Sequence, residues 1–113
     1  MEQAQALTAL SALAHETRLQ LVRLLIPNGD GGVSAGDLAR QLDISASRLS
    51  FHLAALEQAR LIRSRRASRH VFYAAETKGI GELFGYLLND CCAAHPEVHE
   101  CCIPRTKAQA KTT

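Results

Sequence analysis

Apolar residues recur along this chain with two different periods, and the change of period locates its elements. From Ala4 to Leu13 the positions Leu7, Leu10 and Leu13 stand three apart, which predicts a short first helix with a leucine face. A second follows at once. "HETRLQLVRLLI", residues 15–26, places Leu19, Val22 and Leu25 or Ile26 on one side before "PNGDGG" breaks the pattern. "VSAGDLARQLDI" reads as a third helix, capped by Ser34, with Leu38 and Leu42 one turn apart. The clearest helix is "SASRLSFHLAALEQA", residues 45–59. Ser45 can cap it, and Leu49, Leu53 and Leu56 lie within about 60° of one another on the helical wheel. Ser47, Phe51 and Ala54 lie opposite, with Arg48 beside them.

Beyond residue 60 the period shortens to two. In "LIRSRRASRHVFYAA" Leu61, Arg63 and Arg65 alternate with Ile62 and Ser64, and Val71, Phe72 and Tyr73 follow a polar turn near Arg66 to Ser68. This is the pattern of a β-hairpin tipped with arginine. Helical spacing returns in "GIGELFGYLLNDCC", where Ile80, Leu83, Phe84, Leu87 and Leu88 form a stripe running into a cysteine pair. Pro96 and Pro104 then bracket an irregular segment, and "RTKAQAKTT" reads as a frayed tail. The expected fold class is mainly α with a β-hairpin wing: a winged helix-turn-helix in the order α-α-α-α-β-β-α.

Length and composition narrow the picture. At 113 residues the chain is sized for one domain, and although 47% of it is hydrophobic, no apolar run approaches the roughly 20 residues a membrane span needs. The N-terminus carries an acid where a secretory signal would carry a basic cluster. A soluble, cytoplasmic protein with no membrane partner is expected. Net charge is only +2, but Arg60, Arg63, Arg65, Arg66 and Arg69 fall within ten residues that hold no acid. The basic charge is concentrated on the hairpin.

A major groove admits one helix, whose outward face must be free of bulk and offer donors. Ser47, Arg48 and Ser50 suit phosphates or base edges, and Phe51 suits a thymine methyl. Arg63, Arg65, Arg66 and Arg69 on the hairpin would reach flanking phosphates or the minor groove, where their charge displaces counterions. Double-stranded operator DNA is therefore the expected partner. His52, on the flank of the leucine stripe, suits packing or a phosphate contact, and His15 suits a cap or the surface.

Together "HETRLQLVRLL", "SRLSFHLAALEQARLI" and "RSRRASRHVFYA" resemble the metalloregulatory winged-helix repressors of the ArsR/SmtB family, over about residues 5 to 92. The resemblance implies a homodimer formed through the first and last helices, with the fourth helix of each subunit in a major groove. Ser45, Ser47, Ser50 and His52 match the family's recognition-helix pattern. It implies residues 1–92 as the DNA-binding and dimerisation domain, followed by a C-terminal cysteine-containing segment and tail, residues 93–113. Ala46 and Ser68 depart from the pattern, standing where a polar residue and a glycine are common. The Cys-x-Cys that arsenic-sensing members carry near the third helix is missing, since the corresponding stretch is "VSAGDLAR".

All four cysteines, Cys91, Cys92, Cys101 and Cys102, lie in "NDCCAAHPEVHECC". Cytosolic thiols stay reduced. A ring between neighbouring cysteines is strained as well, because adjacent Cα atoms lie about 3.8 Å apart where disulfides want about 4.4 Å or more. Trivalent arsenic or antimony prefers three convergent thiolates, which Cys91 and Cys92 could supply with Cys101 or Cys102. Some members of the resembled family place an arsenic site in this C-terminal region. Zinc or cadmium, using His95 and His99, is the competing ligand, although zinc sites usually separate paired cysteines by two to four residues. Mercury or a methylated arsenical would need only two thiolates. A thiol reductase would space its cysteines by two residues, so an enzyme is not expected. The expected function is a repressor that leaves its operator when arsenic(III) binds these thiols.

Overall fold

The computed structural model describes residues 1–91 and 96–97. Its elements are helix α1 (Gln3–Leu13), helix α2 (Glu16–Leu25) with a 3-10 turn (Ile26–Asn28), strand β1 (Val33–Ser34), helix α3 (Ala35–Leu42), helix α4 (Ala46–Gln58), strands β2 (Ile62–Ala67) and β3 (His70–Ala75), and helix α5 (Thr77–Gly85), followed by a π-helical segment (Tyr86–Cys91). The winged helix-turn-helix expectation holds, with one strand more than the sequence pattern revealed. β1 pairs antiparallel with β3 through Val33 opposite Tyr73 and Ser34 opposite Phe72, so the sheet runs β1-β3-β2. Two residues are too few for alternation to register, and Ser34 serves both as strand end and as the cap of α3.

Residues 1–83 form one compact unit, and a second begins at Phe84. The division expected after residue 92 lies outside the described residues. In the first unit the interior is filled by Leu21 and Leu25 of α2, Leu38 of α3, Leu53 and Leu56 of α4, Leu61 and Ile62 at the entry to β2, and Leu83 of α5, all almost fully buried. Each such side chain contributes about 1.5–3 kcal/mol through loss of apolar contact with water.

α1 buries its small residues rather than its leucines. Ala6, Ala9 and Ala12 are buried, whereas Leu7 is 57% and Leu10 39% exposed. Alanine has no side chain beyond Cβ, so α1 can lie close against α2 and α4, and its leucines are left outside. Leu19 and Ile26 are likewise exposed, and Leu21 joins Val22 and Leu25 as the inner face of α2.

The turn between α3 and α4 is built from caps. Asp43 closes α3 in the left-handed region at φ 54°, the Ile44 N–H bonds the Ala39 carbonyl at 3.2 Å, and Ser45 accepts from the Arg48 N–H at 3.2 Å. Together these satisfy donors and acceptors that helix ends otherwise leave open. At the far end of α4 the chain reverses through Arg60, at φ 63°. A left-handed conformation costs an L-residue about 1–2 kcal/mol relative to glycine. α5 begins directly over this corner, where a Cβ on Gly79 would overlap the Arg60 carbonyl oxygen.

Two substitutions at this corner should act in opposite directions. Gly79→Ala is expected to destabilise by about 1–3 kcal/mol, because the obstructing atom is backbone. Arg60→Gly should stabilise by about 1 kcal/mol by relieving the left-handed residue. Urea unfolding midpoints of the two variants check both.

Candidate nucleic-acid interface

α4 presents the two faces its leucines dictate. Leu49, Leu53 and Leu56 are buried, and Ser47, Arg48, Ser50, Phe51 and Ala54 are exposed. Phe51 is 66% exposed, which for a large aromatic on a regular helix is an unusually open position. Ser45 is less available, since its hydroxyl caps the helix and lies 3.4 Å from the Ser47 hydroxyl.

Of the two readings of His52, the structure places it as a packing residue rather than on the exposed face. It is only 5% exposed, and its Nδ1 accepts a hydrogen bond from Arg18 Nε at 3.1 Å. His15 lies beside it with ring centroids 4.5 Å apart, and His15 also caps α2 by accepting from the Thr17 N–H. Burial, then the positive neighbours His15, Arg18 and Arg48, hold the His52 pKa below its ordinary value. A neutral ring is what this geometry requires, because a proton on Nδ1 would face the Arg18 donor.

The hairpin sorts its arginines into two kinds. β2 and β3 pair from Ile62 opposite Ala75 to Ala67 opposite His70, so the tip is the two residues Ser68 and Arg69. Ser68 takes φ 60°, the conformation for which glycine is common at such a turn. Arg63 sits at the base rather than the tip. It donates to the Asp30 carboxylate at 2.7 Å and to the Ala75 carbonyl at 3.1 Å, and lies 3.5 Å from the Glu76 carboxylate. These acceptors occupy its guanidinium, and its role is to tie the hairpin base to the loop before β1. Arg65 is intermediate, donating to the Gly31 carbonyl at 3.1 Å and stacking 4.8 Å from the Phe72 ring, yet still exposed. Arg66 and Arg69 are exposed, with no hydrogen bond or ion pair among the described residues.

Sequence reasoning missed Arg18 and Asp30. Both lie more than thirty residues from the partner they hold, so no local spacing signals them. Of the thiols, Cys91 ends the π-helical segment, and Cys92, Cys101 and Cys102, like His95 and His99, lie outside the described residues. Among the described residues no group of three or more His, Cys, Asp or Glu is placed to hold a metal ion. Nor is any helix among them long and apolar enough to cross a membrane.

The His52 environment has a defined pH signature. A depressed folded pKa means the unfolded chain binds the proton more readily, so the contribution is complete above about pH 6.5 and is lost as pH falls from there to the folded pKa. His52→Gln, which keeps an acceptor for Arg18, should remove this part of the pH dependence. Urea midpoints of both proteins from about pH 5 to pH 8 measure it.

An arrangement of a capped helix with an open polar face beside a basic hairpin can follow a groove and its flanking phosphates. Residues 13–65 match the family model described as a helix-turn-helix domain. The transcriptional activator HlyU of Vibrio cholerae is 34% identical over 81% of this chain and 82% of its own, and the regulator YgaV of Escherichia coli is 36% identical over 78% and 87%. The reduced HlyU structure superimposes with TM-score 0.61 at 35% identity, covering 78% of this chain and 88% of that one. The homodimeric winged helix-turn-helix domain of Mb0332 from Mycobacterium bovis, described as a possible ArsR-family regulator, gives 0.63 at 25% identity and 82% coverage of each. These relatives are regulators rather than enzymes. The chain belongs to the ArsR/SmtB type of winged-helix DNA-binding transcriptional regulators.

Proposed function

We propose that this regulator is a cytoplasmic homodimeric repressor that binds double-stranded operator DNA through α4 and the hairpin, and releases it when arsenic(III) binds the C-terminal thiols. The observation that carries the inducer reading is the donor set: four thiols confined to residues 91–102, with Cys91 ending the π-helical segment and Cys92 next to it in sequence. Thiolates are soft, and three of them match the pyramidal preference of the trivalent metalloid. Cys91 and Cys92 with Cys101 or Cys102 would form the site.

The π-helical winding of Tyr86–Cys91 supports a sensing role for this end of the chain, because such turns are rare and recur at functional sites. A ligand drawing Cys91 toward the other thiols would act directly on that winding. The homodimer draws support from the exposure of Leu7 and Leu10 on α1 and of Phe84 on α5, apolar surface that a second copy can cover. Pinning the last helix then alters the spacing or mobility of the two α4 helices. By linkage, DNA weakens metalloid binding by the same factor.

Arsenite added to the reduced protein should weaken operator binding by about 5- to 150-fold in a mobility-shift assay, the range of ordinary allosteric coupling. Serine at both Cys91 and Cys92 should leave DNA binding intact and abolish the response. A bound fraction indifferent to arsenite removes the inducer from the scheme. X-ray absorption separates three sulfurs around arsenic from the mixed nitrogen and sulfur shell of the zinc or cadmium alternative.

The wing makes its own prediction. Replacing Arg66 and Arg69 with alanine should weaken binding to all duplexes alike and reduce the salt slope by about two, near one counterion per lost phosphate contact. An unchanged slope, measured by anisotropy titrations across salt concentrations, takes these arginines off the phosphates.

A further inference from the structure

Phe51 is not left to find its own orientation on α4. The Arg18 guanidinium lies 5.4 Å from its ring centroid, and the His52 ring meets it edge-on with centroids 5.6 Å apart. Arg18 reaches this position from α2, and its Nε–H is fixed by His52 Nδ1 at 3.1 Å. The anchor is itself buried, and the His15 ring packs on it with centroids 4.5 Å apart. An exposed ring on a helix would ordinarily sample more than one staggered χ1 state. Here a guanidinium and a buried imidazole, hydrogen-bonded to each other, both contact the ring, while two thirds of its surface remains open.

We propose that Arg18 is a positioning residue for sequence readout, holding the Phe51 ring so that it packs on the C5 methyl of a thymine in the major groove. The proposal rests on α4 entering that groove. Its physical basis is preorganisation. A ring ordered before binding does not have to be ordered during it, a difference on the order of three- to tenfold in affinity for one side chain. The requirement falls on a planar fork. Lysine would keep the charge, but it offers no plane to stack and no Nε–H in that geometry. Arg18 makes no other hydrogen bond among the described residues, so the His52 bond is what holds its guanidinium beside Phe51.

The test uses the full chain and duplexes it selects from a randomised pool. Affinities are measured by fluorescence anisotropy for a selected duplex, for versions with single thymines replaced by deoxyuridine, and for an unrelated duplex of equal length. For the wild type, loss of one methyl in each half-site should weaken binding on the order of three- to tenfold. Arg18→Lys should reduce that penalty to within about twofold, while affinity for the unrelated duplex and the salt slope stay unchanged because the charge is kept.

Phe51→Ala, at an exposed position, should abolish methyl sensitivity without affecting the fold. Adding Arg18→Lys to it should cost the selected duplex nothing further, since the two residues act as a unit. Full methyl sensitivity in Arg18→Lys overturns the proposal. So do equal losses on selected and unrelated duplexes, additive effects of the two substitutions, or a wild type indifferent to the methyl. If the wild type selects no duplex at all, the DNA-binding reading fails and takes the proposal with it, a result distinct from each of these.

Discussion

The burial of one side of α4 is the constraint on which the rest of the structure depends. Leu49, Leu53 and Leu56 can reach the interior in only one rotation of the helix, and that rotation decides that Ser47, Arg48, Ser50 and Phe51 face outward. Capping by Ser45 fixes where the helix begins, and the left-handed Asp43 fixes the angle at which the chain enters it. Recognition chemistry is therefore set by packing. A side chain one position along the helix turns by about 100°, which is enough to carry His52 from the outer face into the contact with Arg18.

Most of the architecture was legible in the pattern of apolar positions. The helices of the helix-turn-helix have strong periods and serine caps, and the hairpin alternates clearly. What escaped was decided by distance in the fold rather than along the chain. β1 is two residues long and exists only because β3 offers it an edge. α1 buries alanines where a leucine face was the natural reading, since a hydrophobic pattern does not say which apolar stripe meets a neighbour and which stays free.

The same distinction runs through the candidate site. Exposure of Ser47, Arg48, Ser50, Arg66 and Arg69 follows from local periods, and the structure agrees with it. Arg63 looks equivalent to its neighbours in the sequence, yet it lies within reach of Asp30 and Glu76, residues separated from it along the chain. Charge on a strand does not reveal whether it is already neutralised. His52 shows the converse: a polar residue on the margin of an apolar stripe was drawn inward because Arg18 supplied the hydrogen bond that makes its burial tolerable.

The division of labour on α1 has an evolutionary consequence. Ala6, Ala9 and Ala12 hold the helix against its own subunit, and Leu7 and Leu10 on the opposite side carry none of that burden. The outer leucines can therefore be exchanged for other apolar or charged residues without loosening the fold. In the proposed homodimer, changes confined to this outer stripe would decide which duplicated copies pair. On that proposal, partner choice would be separable from foldability, because the two would be written on different letters of one short helix.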